Sequence, residues 1–413
     1  MSTINLLVSS MTLISNWLRD YFAYFSPFIL LYVIWKLYFF YIQARWIHEE
    51  PKALLEIKIP REITKSPKAM EMVLMAFLPS AGSFTDKYIL GRVPYWFSLE
   101  MVSFGGEIHF YIWTARKHKN LIESQIYSQY PEVEVIEAEK DYAFQVPYKS
   151  PGSDWSIWAV EWKLGKEDAM PIKTYIDYEM DKDPKEEFKI DPLTPILEML
   201  GAMKPGDQMW VQVIIRPTVD TKSVPFVWND PGTWFKKTGW KEDGKKLVDK
   251  LSKREKKDKE STTSFGDLML SSGERKVVEA VERSLAKPGF DAGYRFIYLA
   301  RGDKFDGGNI GRMMGANKQY NSNYMNGFKP GLFTAFDYPW QDFMDIRVNK
   351  RKWKMFDAYR RRMYFYPPYK HKSFVLSSEE VATIFHFPGM VAATPTLPHI
   401  ESKKGEPPVN LPV

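Results

Sequence analysis

Residues 97–112 read FSLEMVSFGGEIHFYI. Phe97, Leu99 and Met101 alternate with Ser98 and Glu100, the two-residue period of a strand with one apolar face. Gly105-Gly106 supplies a two-residue turn, and Ile108, Phe110 and Ile112 resume the alternation, so the stretch predicts a β-hairpin. Upstream, Leu55, Ile57 and Ile59 alternate with Glu56 and Lys58 as a further strand. Ser66-Pro67 then opens a helix whose apolar face is Met70, Val73, Leu74 and Phe77. Downstream, Ile122, Ile126 and Tyr130 recur at four-residue spacing as a second helix, and Val133 and Val135 alternate with Glu132 and Glu134 as a closing strand. The order βαββαβ is the ferredoxin-like pattern, expected over residues 49–145. That fold hosts many functions and names none.

A second block, residues 146–335, reads as a looser version of the same plan. Strands are expected at 155–164, 172–178, 209–215 and 290–299. Helices are expected at 192–203, ended by Pro205-Gly206, at 272–286 with Val277, Val278 and Val281 on one side, and at 309–320. The expected class is therefore α+β: one N-terminal transmembrane helix followed by two ferredoxin-like α+β domains. An insertion, residues 236–264, is rich in lysine with interleaved acids, and Leu247, Val248 and Leu251 are its apolar face. It reads as a solvated loop or charged helix, or as a contact with anionic lipid or nucleic acid.

Ahead of these blocks, residues 21–42 read YFAYFSPFILLYVIWKLYFFYI. At about 1.5 Å per residue this is roughly 33 Å of helix, close to the thickness of a hydrocarbon core. Leu, Ile, Val and Phe dominate it, and their summed transfer energy exceeds the cost of Lys36, which lies off centre and can snorkel. Its centre is Phe28, Ile29, Leu30, Leu31, Val33, Ile34, Trp35 and Leu37, the expected membrane anchor. Arg19 beside Asp20 is the only basic residue just upstream, whereas Arg45, Lys52, Lys58 and Arg61 follow. The positive-inside bias places the larger C-terminal part in the cytoplasm, as a single-pass protein of the inner (cytoplasmic) membrane. Residues 1–20 read as a separate segment, whose apolar stretch 4–14 is too short to span.

Residues 336–400 hold a basic amphipathic helix and a strand-helix pair, at 373–376 and 378–387. The basic stretch, residues 350–362, reads KRKWKMFDAYRRR. Lys350, Arg351, Lys352, Lys354, Arg360, Arg361 and Arg362 alternate with Trp353, Phe356 and Tyr359 at helical spacing. Two readings stay open: an aromatic face packed on the domain with a solvated basic face, or a surface for lipid headgroups or nucleic-acid phosphates. Residues 401–413, ESKKGEPPVNLPV, read as an extended Pro-rich tail.

Composition narrows the chemistry. The 413 residues carry a net charge of +6, 26% charged side chains and no cysteine, which removes disulfides, thiol catalysis and cysteine-ligated metals. A P-loop, a Gly-x-Ser-x-Gly elbow and a His-Glu-x-x-His pair are missing from the sequence. The six histidines have no metal-ligand spacing, and His109 reads as a partnered sheet residue. Arg301-Gly302-Asp303 reads as a turn after a strand. No cofactor and no enzymatic activity are expected.

Four stretches nonetheless carry a resemblance. They are residues 98–141, SLEMVSFGGEIHFYIWTARKHKNLIESQIYSQYPEVEVIEAEKD; 203–217, MKPGDQMWVQVIIRP; 315–330, GANKQYNSNYMNGFKP; and 374–389, FVLSSEEVATIFHFPG, continuing at 400–412 as IESKKGEPPVNLP. In order and spacing the chain resembles the N-terminal, membrane-proximal region of type IV secretion (conjugation-type), coupling-protein-like ATPases. There the Pro-rich linker leads into the nucleotide-binding core, and here the sequence stops at Val413, where that core would begin. The resemblance implies a non-catalytic anchor and docking module of a DNA-translocation assembly, working with a separately encoded P-loop ATPase and with membrane lipids. Ferredoxin-like domains packed side by side as a homo-oligomeric ring fit that role. A membrane-tethered nucleic-acid-binding protein is the alternative.

Overall fold

In a computed structural model, residues 2–60, 65–77, 84–181, 190–218, 239–252, 271–336, 338–389 and 399–400 are described. The strands are β1 (Lys52–Pro60), β2 (Phe97–Phe104), β3 (Glu107–Ala115), β4 (Glu134–Glu137), β5 (Trp155–Leu164), β6 (Gln208–Pro217), β7 (Gly289–Arg301), β8 (Phe328–Phe333), β9 (Phe374–Ser377) and β10 (His399–Ile400). The helices are α1 (Ser2–Glu49), α2 (Pro67–Leu74), α3 (Phe84–Tyr88), α4 (Lys119–Gln129), α5 (Tyr142–Gln145), α6 (Thr194–Gly201), α7 (Trp240–Leu251), α8 (Ser272–Ala286), α9 (Gly308–Gly315), α10 (Ile346–Arg360) and α11 (Ser378–Ile384). The chain divides into two compact units: α1 with the segment around α3, and the sheet with its helices.

In the first unit, α1 starts at Ser2, runs unbroken through the described part of the segment expected to be separate, and contains Pro27. The Tyr88 ring on α3 stacks on Trp35 at 6.2 Å and lies 5.5 Å from Phe39, which is buried. Gly91 takes a positive φ of 65° against the Ile42 carbonyl, where a Cβ would fall 2.5 Å from backbone atoms.

The second unit is built on one antiparallel sheet, with, among the described residues, a single two-residue parallel pair, β1 with β10. Its path is β10-β1-β3-β2-β6-β7-β5-β8, with β4 on β1 and β9 on β7. The 97–112 hairpin forms with both turn glycines at positive φ, 62° and 101°, as a two-residue loop matched to strand twist requires. The first block contributes the order β4-β1-β3-β2, and the second contributes β6-β7-β5-β8. The two blocks share a sheet because β2 pairs β6 from Phe97↔Ile215 to Phe104↔Gln208.

One face of this sheet is apolar. Leu99, Met101, Phe110, Ile112, Val211, Val213, Phe296 and Tyr298 are buried there with side chains from α2, α4, α6 and α11. Residues 172–178, expected as a strand, instead form turns: the Asp177 carboxylate accepts the Thr174 N–H at 2.8 Å, and the Asp177 N–H donates to the Thr174 carbonyl at 3.0 Å. Local side-chain capture of the backbone competes with sheet pairing. The helix expected over 309–320 is α9 followed by a single 3₁₀ turn, Lys318–Tyr320. Within the insertion, α7 packs Leu247, Val248 and Leu251 against Val277 and Val281 of α8. The remainder of the insertion, 236–238 and 253–264, and the tail, 401–413, lie outside the described residues.

Candidate functional site

Three features bear on function: the surface of α1, the basic stretch, and a buried polar row. On α1, the expected anchor residues Phe28, Ile29, Leu30, Leu31, Val33, Ile34, Trp35 and Leu37 are all exposed, Phe28 at 71% and Leu31 at 66%. Tyr24–Glu49 is the one described helix long and apolar enough to cross a membrane.

The basic stretch divides in two. Lys350 and Lys354 are exposed on α10 and Lys352 is half-buried; none has an acidic partner among the described residues. Arg351 donates to the Phe333 carbonyl at 2.9 Å and lies 4.1 Å from the Phe336 ring. Arg360 and Arg361 both neutralise Asp357, the latter at 2.8 Å. Arg362 is buried. Lys350 and Lys354, one turn apart, and Arg361 therefore face solvent, with Lys352 and Arg360 half-buried and Arg362 drawn inward.

Arg362 ends α10 in an unusual way. Its N–H donates to the Tyr359 carbonyl at 2.8 Å and the next N–H, of Met363, to the Ala358 carbonyl at 3.0 Å. These two bonds form a Schellman cap with Arg362 in the left-handed region at φ 50°, where glycine is the usual residue. The strained backbone aims the guanidinium into the sheet. Nε meets Glu100 Oε1 at 3.0 Å, Nη2 meets Glu100 Oε2 at 3.1 Å and Asp141 Oδ1 at 2.9 Å, and Nη1 meets Asp141 Oδ2.

Glu100 belongs to a row that crosses the sheet opposite the apolar core. Register pairs Glu56 with Tyr111, Tyr111 with Glu100, Glu100 with Gln212, Gln212 with Arg295 and Arg295 with Glu161. Glu100 also accepts from Ser98 at 2.6 Å, Gln212 at 2.7 Å and the Tyr142 hydroxyl at 2.7 Å. Burial opposes its charge, but Arg362, Ser98 and Gln212 hold its carboxyl below the usual range. Arg295 donates to Gln212 Oε1 at 2.6 Å and to the Met363 carbonyl at 2.9 Å. At the two ends, His371 Nδ1 lies 2.6 Å from Glu161 and His109 Nδ1 lies 2.8 Å from Glu56. A lid of α5, α10 and residues 361–372 thus closes over the row, within which Glu161 Oε1 and Arg295 Nη1 are buried 3.9 Å apart without a hydrogen-bond partner.

A second buried cluster surrounds the start of α11. Glu379 pairs with Arg283 at 3.1 Å and Lys287 at 3.0 Å, and Lys287 reaches Glu71 at 2.9 Å. Glu380 caps α11 by accepting the Ser377 N–H at 2.8 Å, and it accepts the Ile172 N–H at 2.9 Å. Burial pushes its carboxyl up to about 7 against those bonds. Its oxygens are occupied by backbone donors, so its role here is to hold the 172–178 turns against α11. Among the described residues, no group of three or more His, Asp or Glu is placed to hold a metal ion.

The sequence reading took Ser98 and Glu100 as the polar side of a strand. A usable signal lay elsewhere: Gln212, Arg295 and Glu161 each interrupt an otherwise apolar run, MWVQVII, GYRFIYL and WAVEW. Such lone polar residues in buried strands require partners.

These features define an α+β protein with a long, outwardly apolar N-terminal helix and an antiparallel sheet sealed on both faces. The chain belongs to the family described as a domain of unknown function, DUF8128, whose model matches residues 47–398. The match begins just beyond the apolar part of α1 and takes in the whole path of the sheet except β10. Among curated proteins, none matches the chain.

Proposed function

We propose that the chain is a membrane-anchored, non-catalytic scaffold of a type IV secretion or DNA-translocation assembly. In this reading α1 crosses the inner membrane, the sheet unit lies in the cytoplasm, and that unit docks a separately encoded P-loop ATPase. The observation that carries the anchor is the exposed apolar surface of α1, which a bilayer would cover. Tyr24–Glu49 as a helix is about 39 Å long, enough for a hydrocarbon core of about 30 Å. Arg45 near its C-terminal end, and Lys52 and Lys58 beyond it, support the cytoplasmic orientation.

The scaffold role is supported by the sheet. Each half repeats the strand order of a ferredoxin-like domain, so we read the unit as two such domains fused edge to edge through β2 and β6. The buried Glu100–Arg362 pair ties the lid to the platform. The translocation setting is supported by the resemblance of residues 98–141, 203–217, 315–330 and 374–412. A homo-oligomeric ring of these units is part of the same reading.

The test is a mild-detergent pull-down of tagged full-length protein from its native membrane. A P-loop ATPase at comparable stoichiometry is expected. If nuclease-sensitive nucleic acid co-purifies and no ATPase does, the docking role fails. That outcome favours a membrane-tethered nucleic-acid-binding protein, a reading supported by Lys350, Lys352 and Lys354. Its affinity should then fall steeply with salt and drop in the triple Lys→Glu variant.

A further inference from the structure

The loop leading into α10 presents the densest exposed apolar patch of the sheet unit. Tyr338, Trp340, Phe343, Met344 and Ile346 are all solvent-exposed within nine positions, Trp340 at 78% and Phe343 at 79%. Elsewhere on the described part of this unit, exposed large apolar side chains stand singly or in pairs, as at Tyr324, Ile190 and Phe144. Single exposed apolar residues need no explanation; a cluster does.

The cluster is held in place by its own local structure. Tyr338 and Trp340 stack at 4.6 Å with ring planes 12° apart. Met344 and Asp345 both take left-handed backbone, φ 54° and 57°, which turns the chain sharply into α10. The Asp342 carboxylate accepts the N–H groups of Arg347 at 2.8 Å and Val348 at 2.6 Å, and so fixes the loop to the start of that helix. The apolar side chains therefore project from an anchored turn. Immediately beyond stand Lys350, Lys352 and Lys354, which have no acidic partner among the described residues.

We propose that residues 338–346 and the α10 lysines form a second membrane contact, which lays the sheet unit onto an anionic lipid surface. Tyr and Trp, with an apolar ring and a polar tip, suit the headgroup layer, and Phe343 and Met344 reach toward the acyl chains. The lysines complement anionic headgroups. This inference rests on the anchor reading, because a spanning α1 keeps the loop near the bilayer at high effective concentration. The contact would restrict how the platform turns about its tether.

The chain has no cysteine, so single-cysteine labelling is clean. Full-length F343C, L31C and S124C proteins carrying an environment-sensitive fluorophore are placed in nanodiscs of phosphatidylcholine, with or without 30% phosphatidylserine. Quenching by shallow and deep spin-labelled lipids is then read. The label at 343 should blue-shift and be quenched by the shallow lipid in phosphatidylserine discs, while the label at exposed position 124 is not. Exchanging Lys350, Lys352 and Lys354 for Glu should abolish the 343 signal, since the lysines together shift the docked population by about 100-fold. Quenching at 31 without quenching at 343 overturns the inference and leaves the anchor intact. Absence of quenching at 31 overturns the anchor reading itself. A blue-shifted 343 label that lipid does not quench, and that reverts on dilution, overturns the inference by assigning the patch to a second copy.

Discussion

Replacing Arg362 by methionine keeps most of the side-chain volume and removes the only cation that, among the described residues, touches Glu100, which is fully buried. The guanidinium bonds to both Glu100 oxygens and to Asp141 vanish, while Ser98, Gln212 and Tyr142 remain as donors. Breaking a buried pair by removing one partner costs about 3–5 kcal/mol, because the other charge is left uncompensated. For a unit of about 350 residues, unfolding entropy is about 0.7 kcal/mol/K, so Tm should fall by about 4–7 °C. The pH dependence gives the sign. In the native protein Glu100 is held below its ordinary value, so its contribution is present above about pH 4.5 and lost as pH falls. In the variant, burial without Arg362 raises that carboxyl, so its penalty is present at pH 8 and disappears on protonation. The stability gap between the two proteins should therefore narrow from pH 8 to pH 4.5. Near-UV circular dichroism melts of the full chain in detergent would measure it. Adding Glu100→Gln should recover at least about 1 kcal/mol relative to the sum of the single changes. A Tm within about 1 °C of the native protein, or a gap that does not change with pH, would refute the assignment of Arg362 as the counter-charge of the row.

Further outcomes can be checked on the same material. Glu380 is raised to about 7, so its contribution is fully present below about pH 4.5 and is lost as pH rises through about 7; the loss is up to about 3 kcal/mol. Glu380→Gln should flatten that slope in urea titrations, whatever its absolute stability. Gly293→Ala places a Cβ 2.6 Å from the Tyr364 ring, which is itself buried, and should cost about 1–3 kcal/mol by the same melts. Leu31→Arg puts a charge on the apolar surface of α1, and alkaline carbonate extraction of membranes should then release part of the protein; full retention would count against a span centred there. Gly106→Ala meets the Gly201 and Met203 carbonyl oxygens at 3.0 Å with φ at 101°, and should destabilise the hairpin measurably in hydrogen exchange at Ile108 and Phe110.

Local pattern sufficed for much of this molecule. Alternation of Phe97, Leu99 and Met101, the Gly105-Gly106 turn and the four-residue spacing of Ile122 and Ile126 identified strands, hairpin and helix, because each follows from side-chain periodicity and the φ that glycine tolerates. The apolar run of residues 21–42 likewise announced a helix that water does not cover well. Three things depended on contacts distant in sequence. Ser98 and Glu100 read as the polar side of a strand, yet lie beneath a lid that arrives 262 residues later with Arg362. The seven basic residues of 350–362 looked like one surface, yet the Schellman turn draws Arg362 inward and Asp357 holds Arg360 half-buried, while Arg361 stays exposed. The two blocks looked separable, yet β2 and β6 pair along eight residues. Periodicity reports which face of an element is apolar. What covers the opposite face, and which edge meets which, is set by long-range packing that burial and charge neutralisation select, and one-dimensional spacing does not encode it.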